Sequence, residues 1–331
     1  MKDRKIRIAI VRLSALGDII NTAIALQIIK KYLPHSHIDW FCDEAFASIL
    51  QNHPLLDNTI AIPLKKLKKE RSIKLLIETI KTIRSYERYD IVIDAQGLLK
   101  SAIVTALIRG KTHGFDKHSI REKIASLFYS TTTNIDYGEN IIKRNIKVIC
   151  EGSNIPFDIA DIENKSPIFE TKSRPSVMGS EKNISIIIGA SWQSKCYSDE
   201  NFIELINMLP HRCFIIWGSS DEKSRAEHII SKAKNATLAP QMNLAELVNF
   251  IAHSDLVIGN DTGPTHMAWA MNRASITLFG PTNERMIYPT HKNLFIKSPS
   301  SVNIYKIDKN DFSINEIKPS QIAEMAGKLL D

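Results

Sequence analysis

Short apolar runs alternate with longer stretches of helical periodicity along the whole chain, and this alternation leaves few folds open. Residues 6–13 read as a buried strand, residues 14–18 as a turn, and residues 19–33 as a helix. The apolar positions Ile20, Ala23, Ile24, Ile28 and Leu33 of that helix fall near helical spacing, and Pro34 helps to stop it. Further strand-like runs stand at 37–42, 59–62 and 91–94, with helical patterns between and after them. Repeated strand–helix–strand order predicts a parallel sheet covered by helices.

The texture changes at residues 172–180, where a polar stretch with Pro175 and Gly179 reads as a linker. The same grammar then restarts. Strands are expected at 184–188, 213–217, 256–259 and 275–279, and helices at 200–208, 221–234, 244–252 and 264–271. A last helix starts near Pro319, a residue suited to the first helical turn. At 331 residues the chain is long enough for two domains, each with its own core. The expected division is 1–172 and 173–310, with 311–331 as a C-terminal helix packing back on the N-terminal domain. Ligands are expected in the cleft between two doubly wound domains, at the carboxyl ends of their strands.

Composition narrows the function classes. The net charge of +7 favours a polyanionic partner: nucleic acid, an anionic membrane or a phosphorylated substrate. The densest basic run is Lys65, Lys66, Lys68, Lys69 and Arg71 around Glu70. Such a run reads as a solvated face or as a meeting point for lipid headgroups and lipid phosphates. The four cysteines form no C-x-x-C pair, which leaves out zinc and dithiol motifs and suggests reduced thiols. No uncharged run of 18 residues occurs, so the expected location is cytoplasmic with membrane contact at most peripheral. The first turn, Leu13-Ser14-Ala15-Leu16-Gly17-Asp18, lacks the G-x-G-x-x-G of a nicotinamide-binding enzyme. No helix-turn-helix, RNA-recognition or zinc signature supports a nucleic-acid module.

The segment Asp261-Thr262-Gly263-Pro264-Thr265-His266 falls at a strand end and a helix start. Gly263 allows close backbone approach, and Pro264 fits where an N–H would be unused. The free N–H groups and the positive dipole end favour phosphate, while Thr262, Thr265 and His266 add polar groups. A capped helix start alone would look similar. Asp261 itself suits sugar hydroxyls better than phosphate, because carboxylate repels phosphate.

Four ordered motifs now carry a resemblance over nearly the whole chain. They are Ser14 to Asp18; Asp94-Ala95-Gln96-Gly97-Leu98-Leu99-Lys100-Ser101; Arg121-Glu122 followed by residues 125–129; and Asp261 to His266 with Gly280-Pro281-Thr282. The chain resembles the lipopolysaccharide heptosyltransferases of glycosyltransferase family 9, most closely those that add the first heptose. The resemblance implies an α/β GT-B fold with two Rossmann-like domains facing a central cleft. It implies inverting, metal-independent transfer of heptose from ADP-L-glycero-D-manno-heptose to the Kdo residue of Kdo-lipid A. The work would be done peripherally at the cytoplasmic face of the inner membrane, with no nucleic acid and no cofactor. A sibling that adds the second heptose would share the fold and donor site.

Site residues follow from the same resemblance. On the residues alone Asp18 reads as a helix N-cap; the resemblance makes it the general base that deprotonates the acceptor hydroxyl. Lys100, Arg121 and Arg144 match positions facing the acceptor's carboxylates and phosphates. Lys195 matches a phosphate-binding lysine, with Ser191 and Ser194 beside it. Here the chain departs from the family: Trp192-Gln193-Ser194 replaces a threonine-containing stretch, and Cys196-Tyr197 replaces a usual tryptophan position. Glu222 matches a ribose contact and Met242 an adenine neighbour. Asp261, Thr262, Gly263 and His266 complete the donor set, and no metal ligand is expected.

Overall fold

A computed structural model describes residues 5–331. The chain forms two compact units, Met1–Ile168 and Phe169–Asp331. The division falls four residues before the expected boundary. The polar stretch read as a linker thus belongs to the second unit, where Lys172 N donates to Asn249 Oδ1 at 2.8 Å.

The first unit holds β1 (Arg7–Val11), β2 (His37–Asp43), β3 (Asn58–Ile62), β4 (Ile91–Asp94), β5 (Lys111–Phe115) and β6 (Thr131–Thr133). All pairs are parallel, in the order β3-β2-β1-β4-β5-β6. The chain steps outward from β1 to β3, then crosses back to β4 and steps outward the other way. Val11 therefore lies beside Phe41 on one side and Asp94 on the other. Ile8, Ala9, Ile10 and Val11 are fully buried because helices cover both faces of the sheet. Each such isoleucine contributes about 1.5–3 kcal/mol over an exposed one.

The second unit repeats the plan with β7 (Asn183–Ile187), β8 (Arg212–Ile216), β9 (Ala236–Leu238), β10 (Leu256–Asn260), β11 (Ala274–Phe279) and β12 (Asn293–Lys297). Their order is β12-β11-β10-β7-β8-β9, again all parallel. Each sheet thus has the doubly wound order of a Rossmann-like domain, with the reversal between its first and fourth strands. The sequence pattern missed β5, β6, β9 and β12. Strand β6 is Thr-Thr-Thr at a sheet edge and carries no apolar signal. Strand β5 is internal but polar: its His113 meets Thr131 Oγ1 at 2.8 Å and Thr133 Oγ1 at 3.0 Å.

The last helix corrects an expectation. Helix Pro319–Leu330 begins where predicted, but its apolar face belongs to the second unit's core rather than to the N-terminal domain. Ile322, Ala326 and Leu330 are buried in the cluster that contains Ile184 and Ile276. Lys182 Nζ ties the helix end by donating to the Leu330 carbonyl. An amphipathic helix buries its stripe on the nearest unfilled apolar surface, here the helix Asp199–Met208 and strands β10 and β11.

Asp94, at the end of β4, is fully buried. Its Oδ2 accepts from Tyr129 Oη at 2.7 Å, and its Oδ1 from the backbone N of Gln96 and Gly97 at 2.8 and 3.0 Å. Burial pushes its pKa up against the pull of these donors, the Tyr129 bond foremost. Gly97 takes φ +70°, the left-handed region that a side chain disfavours, and so permits this turn. Tyr129→Phe should leave Asp94 one donor short and cost about 1–3 kcal/mol. Urea unfolding followed by circular dichroism measures it, and an unchanged midpoint would assign Asp94 another anchor.

Candidate functional site

Each unit builds one half-site where its strand order reverses. In the first unit, β1 leads through Arg12 to the helix Leu16–Tyr32. Asp18 lies three residues past the N-cap Ala15, so it is not itself the cap. Its Oδ2 accepts from Ala15 N at 3.1 Å, and its Oδ1 pairs with Arg12 Nη2 at 2.7 Å. Arg12 is 5% exposed and Asp18 23%, so the carboxylate is fixed from behind and open in front. Arg12 is itself held by donating to the Ala95 carbonyl. Its own carbonyl accepts from Trp40 Nε1 at 3.3 Å.

Lys100 joins this group from the far side of the reversal. It starts the helix Leu99–Leu107 after β4, and its Nζ donates to Ser14 Oγ at 2.7 Å. Gln96 spans the same gap, accepting from Leu13 N at 2.9 Å and donating to Ser14 Oγ at 3.4 Å. Glu122 Oε2 accepts from Leu99 N at 2.7 Å, which brings the Arg121-Glu122 segment to this edge. Arg121 is exposed and 3.9 Å from Glu122.

Arg144 does something else than expected. It is 3% exposed, and its guanidinium donates to the carbonyls of Ser119 at 2.6 Å and Ile135 at 3.2 Å. It also lies over the rings of Phe115 and Tyr137. A guanidinium spent on backbone carbonyls under two aromatic rings fixes the segment that carries Arg121, and it does not present charge to a ligand.

In the second unit the reversal falls between β7 and β10. Asn260 Nδ2 donates to Ile188 O at 2.9 Å, and its Oδ1 accepts from Tyr197 N at 3.0 Å. The loop after β7 is thereby clamped to the end of β10. This loop carries exposed Ser191, buried Ser194 and Lys195. Lys195 Nζ pairs with Asp261 Oδ2 at 2.7 Å, and His266 Nε2 meets Asp261 Oδ1 at 3.1 Å. Burial alone would raise the Asp261 pKa, but the Lys195 charge and the His266 contact hold the carboxyl well below the usual carboxylate range.

Asp261 was expected to take hydroxyl bonds from a ligand. It is 3% exposed with both oxygens engaged, so it instead aims Lys195 and His266. His266 lies in the first turn of the helix Gly263–Ala270, for which Thr262 is the N-cap residue; the Thr262 side chain makes no capping bond. Ser194 Oγ and Thr282 Oγ1 are buried hydroxyls with no hydrogen-bond partner among the described residues.

Glu222 follows β8, in the first turn of the helix Ser220–Lys232, and its Oε2 accepts from Gly218 N at 2.7 Å. Its carboxylate rests directly over Gly189: a Cβ there would stand 2.0 Å from Glu222 Oε1. Met242 is half-buried in the loop after β9. Sequence reasoning gave no role to Arg12, Gln96 or Asn260. The usable signal was a polar residue closing an apolar strand run, as Arg12 does after Ile8–Val11 and Asn260 after Leu256–Gly259.

Comparison with known proteins fits this geometry. The model of glycosyltransferase family 9 (heptosyltransferase) matches residues 77–310. The chain belongs to this family and is a glycosyltransferase. It is 38% identical to the lipopolysaccharide heptosyltransferase 1 of Campylobacter coli, over 98% of both chains. Among solved structures, the E. coli heptosyltransferase WaaC with ADP superposes with a TM-score of 0.81 at 24% identity. That match covers 98% of this chain and 100% of the other. The same E. coli enzyme with ADP-2-deoxy-2-fluoro heptose gives 0.80 at 24% identity, over 98% and 99% of the two chains. The two parallel six-stranded sheets are those of the GT-B fold.

Asp261→Asn should strand the Lys195 charge and destabilise the protein by about 3 kcal/mol. The folded carboxyl titrates below its unfolded value of about 3.9. Its stabilisation is therefore complete above that pH and is lost as pH falls through the folded titration. Urea midpoints of wild type and variant should differ at neutral pH and converge progressively below about pH 4. A constant difference across that range would detach the effect from this ion pair.

Proposed function

We propose that this enzyme transfers heptose from ADP-L-glycero-D-manno-heptose to the Kdo residue of Kdo-lipid A, with inversion and without a metal. This is the first heptose addition of the lipopolysaccharide core. The observation that carries the chemistry is Asp18, an open-fronted carboxylate at the first unit's strand reversal, held from behind by Arg12. Direct inversion needs one base on the face opposite the leaving group.

The acceptor hydroxyl attacks the anomeric carbon and gives its proton to Asp18. The bond from that carbon to the diphosphate oxygen breaks, and ADP leaves with the electron pair. Lys195, His266 and the N–H groups at the start of the helix Gly263–Ala270 meet the growing phosphate charge. The unpartnered hydroxyls of Ser194 and Thr282 suit the same oxygens. Glu222 takes the ribose hydroxyls, Met242 lies by the adenine, and Lys100 and Arg121 receive the acceptor's anionic groups. The first rather than the second or third addition is favoured by the relatives. Those named lipopolysaccharide heptosyltransferase 1 are 28–38% identical, and those named heptosyltransferase 3 are 23–24%. A lipid-linked acceptor and a nucleotide-sugar donor suit a peripheral enzyme at the cytoplasmic face of the inner membrane. No helix among the described residues is long and apolar enough to cross a membrane.

Mass spectrometry of purified enzyme with ADP-heptose should show product from Kdo-lipid A, with the same rate in EDTA. Product formed only from an already heptosylated core would overturn the step assigned. Asp18→Asn should slow transfer by about 10²–10⁴-fold while calorimetry shows ADP affinity unchanged. Wild-type turnover in that variant would remove Asp18 from the mechanism.

A further inference from the structure

One helical layer of the first unit carries most of the large apolar side chains that the described residues leave exposed. It comprises three neighbouring elements: the helix Ile73–Ser85, the helix Leu99–Leu107 and the short 3-10 helix Lys123–Phe128. The two helices bury Ile83 and Val104 in the cluster that contains Ala9, Val11 and Val92, and the 3-10 helix packs on the second helix and on β5. Their outer faces should be polar if water were the only neighbour. They are not. Ile73, Leu76 and Ile77 form an i, i+3, i+4 stripe on the first helix, with Ile73 73% exposed. Leu99 and Ile103 repeat this on the second, and Ile124 and Leu127 on the third, Leu127 being 82% exposed. Scattered exposed leucines are ordinary; seven on three adjacent elements are not.

The charge around this stripe is mostly positive, with exposed Glu70 and Glu78 and the partly exposed Glu122 as carboxylates beside it. The helix Leu64–Glu70 just before it shows exposed Lys65, Lys66, Lys68 and Lys69, and Arg71 follows. Of these, Lys66 pairs with Glu44. Along the first stripe itself, Lys74, Lys81 and Arg84 flank the apolar residues, against the single carboxylate of Glu78. A concavity of about 510 Å³ opens on the same layer, between the ends of the helices Ile73–Ser85 and Leu99–Leu107. Arg84, Arg88 and Arg109 line it, with Ala106, Leu107 and Gly110, and no carboxylate does. Arg109 is oriented by donating to Tyr86 O at 2.6 Å. Three guanidinium groups around an uncompensated hollow suit a phosphodiester.

We propose that this layer is the membrane-docking face, its exposed isoleucines and leucines entering the headgroup–acyl boundary of an anionic bilayer and its three-arginine hollow taking a lipid phosphate. Apolar side chains ringed by lysine and arginine are what such an interface binds. The placement also serves transfer. Leu99 and Lys100 are consecutive, so the lipid-facing layer ends at the half-site that holds Asp18. A lipid-linked acceptor then presents its sugar at the edge of the docked face without leaving the bilayer. The inference rests on the lipid-linked acceptor proposed above, and it is tested without that acceptor.

The test is co-sedimentation of the full chain with vesicles of phosphatidylcholine alone or mixed with phosphatidylglycerol. Wild type should sediment with the anionic vesicles only, and less as salt is raised. Two double variants carry the assignment: Ile124→Ser with Leu127→Ser, and Arg84→Glu with Arg88→Glu. Each should weaken vesicle binding by about tenfold or more. ADP affinity, the circular dichroism spectrum and transfer to a soluble, delipidated acceptor should stay at wild-type values in both. Wild-type sedimentation of both variants overturns the docking face, as does equal binding to the two vesicle types. Loss of transfer to the soluble acceptor in wild type, with vesicle binding intact, would instead count against the function proposed and leave the docking face standing.

Discussion

The structure depends on a constraint of parallel sheets: a chain that winds outward from its first strand in both directions leaves a gap where it turns back. That gap opens at the carboxyl edge, between β1 and β4 in one unit and between β7 and β10 in the other. Backbone groups at a strand end lack a ladder partner on that side, so the gap collects polar side chains. Arg12, Gln96 and Ser14 knit the first gap, and Asn260 knits the second. The candidate site residues then sit on the loops and first helical turns that follow these strands.

Carboxylates in these gaps act mainly on other side chains. Asp94 gathers Tyr129 and two backbone donors; Asp261 gathers Lys195 and His266. Both are buried, yet their pKa values move in opposite directions. Asp94 faces neutral donors only, so burial wins and raises it. Burial is also the largest single influence on Asp261, but Lys195 at 2.7 Å and His266 act together to outweigh it. The partly exposed front of Asp18 separates it from both enclosed carboxylates.

Much of this was legible in the chain itself. Apolar runs such as Ile8–Val11 announce buried parallel strands because both faces must be covered. The start of the helix Gly263–Ala270 was readable from Gly263 and Pro264, whose backbone preferences act locally. What stayed hidden depends on partners far along the chain. Strand β5 is stabilised by His113 pairing with threonines of β6, so its own residues look like a loop. Arg144 was expected at the acceptor because it matches a family position; its bonds to the carbonyls of Ser119 and Ile135 lie 25 and 9 residues away and leave no local sequence signal. Asp261 and Lys195 are 66 residues apart, and no local pattern says that they neutralise each other. The last helix was misplaced for the same reason: an apolar stripe states that a helix is covered, not by what.

The strand order has a consequence for change in length. In both sheets the reversal lies at the centre, and the outermost strands β3, β6, β9 and β12 lie furthest from it. An insertion beside one of these rim strands extends the border of a sheet without displacing β1, β4, β7 or β10. Two of them, β6 and β9, are only three residues long. The rims are therefore where such an enzyme can be remodelled at least cost, while a single residue added inside the helix between Leu16 and Asp18 would move that carboxylate relative to the helix start by about 1.5 Å and 100°.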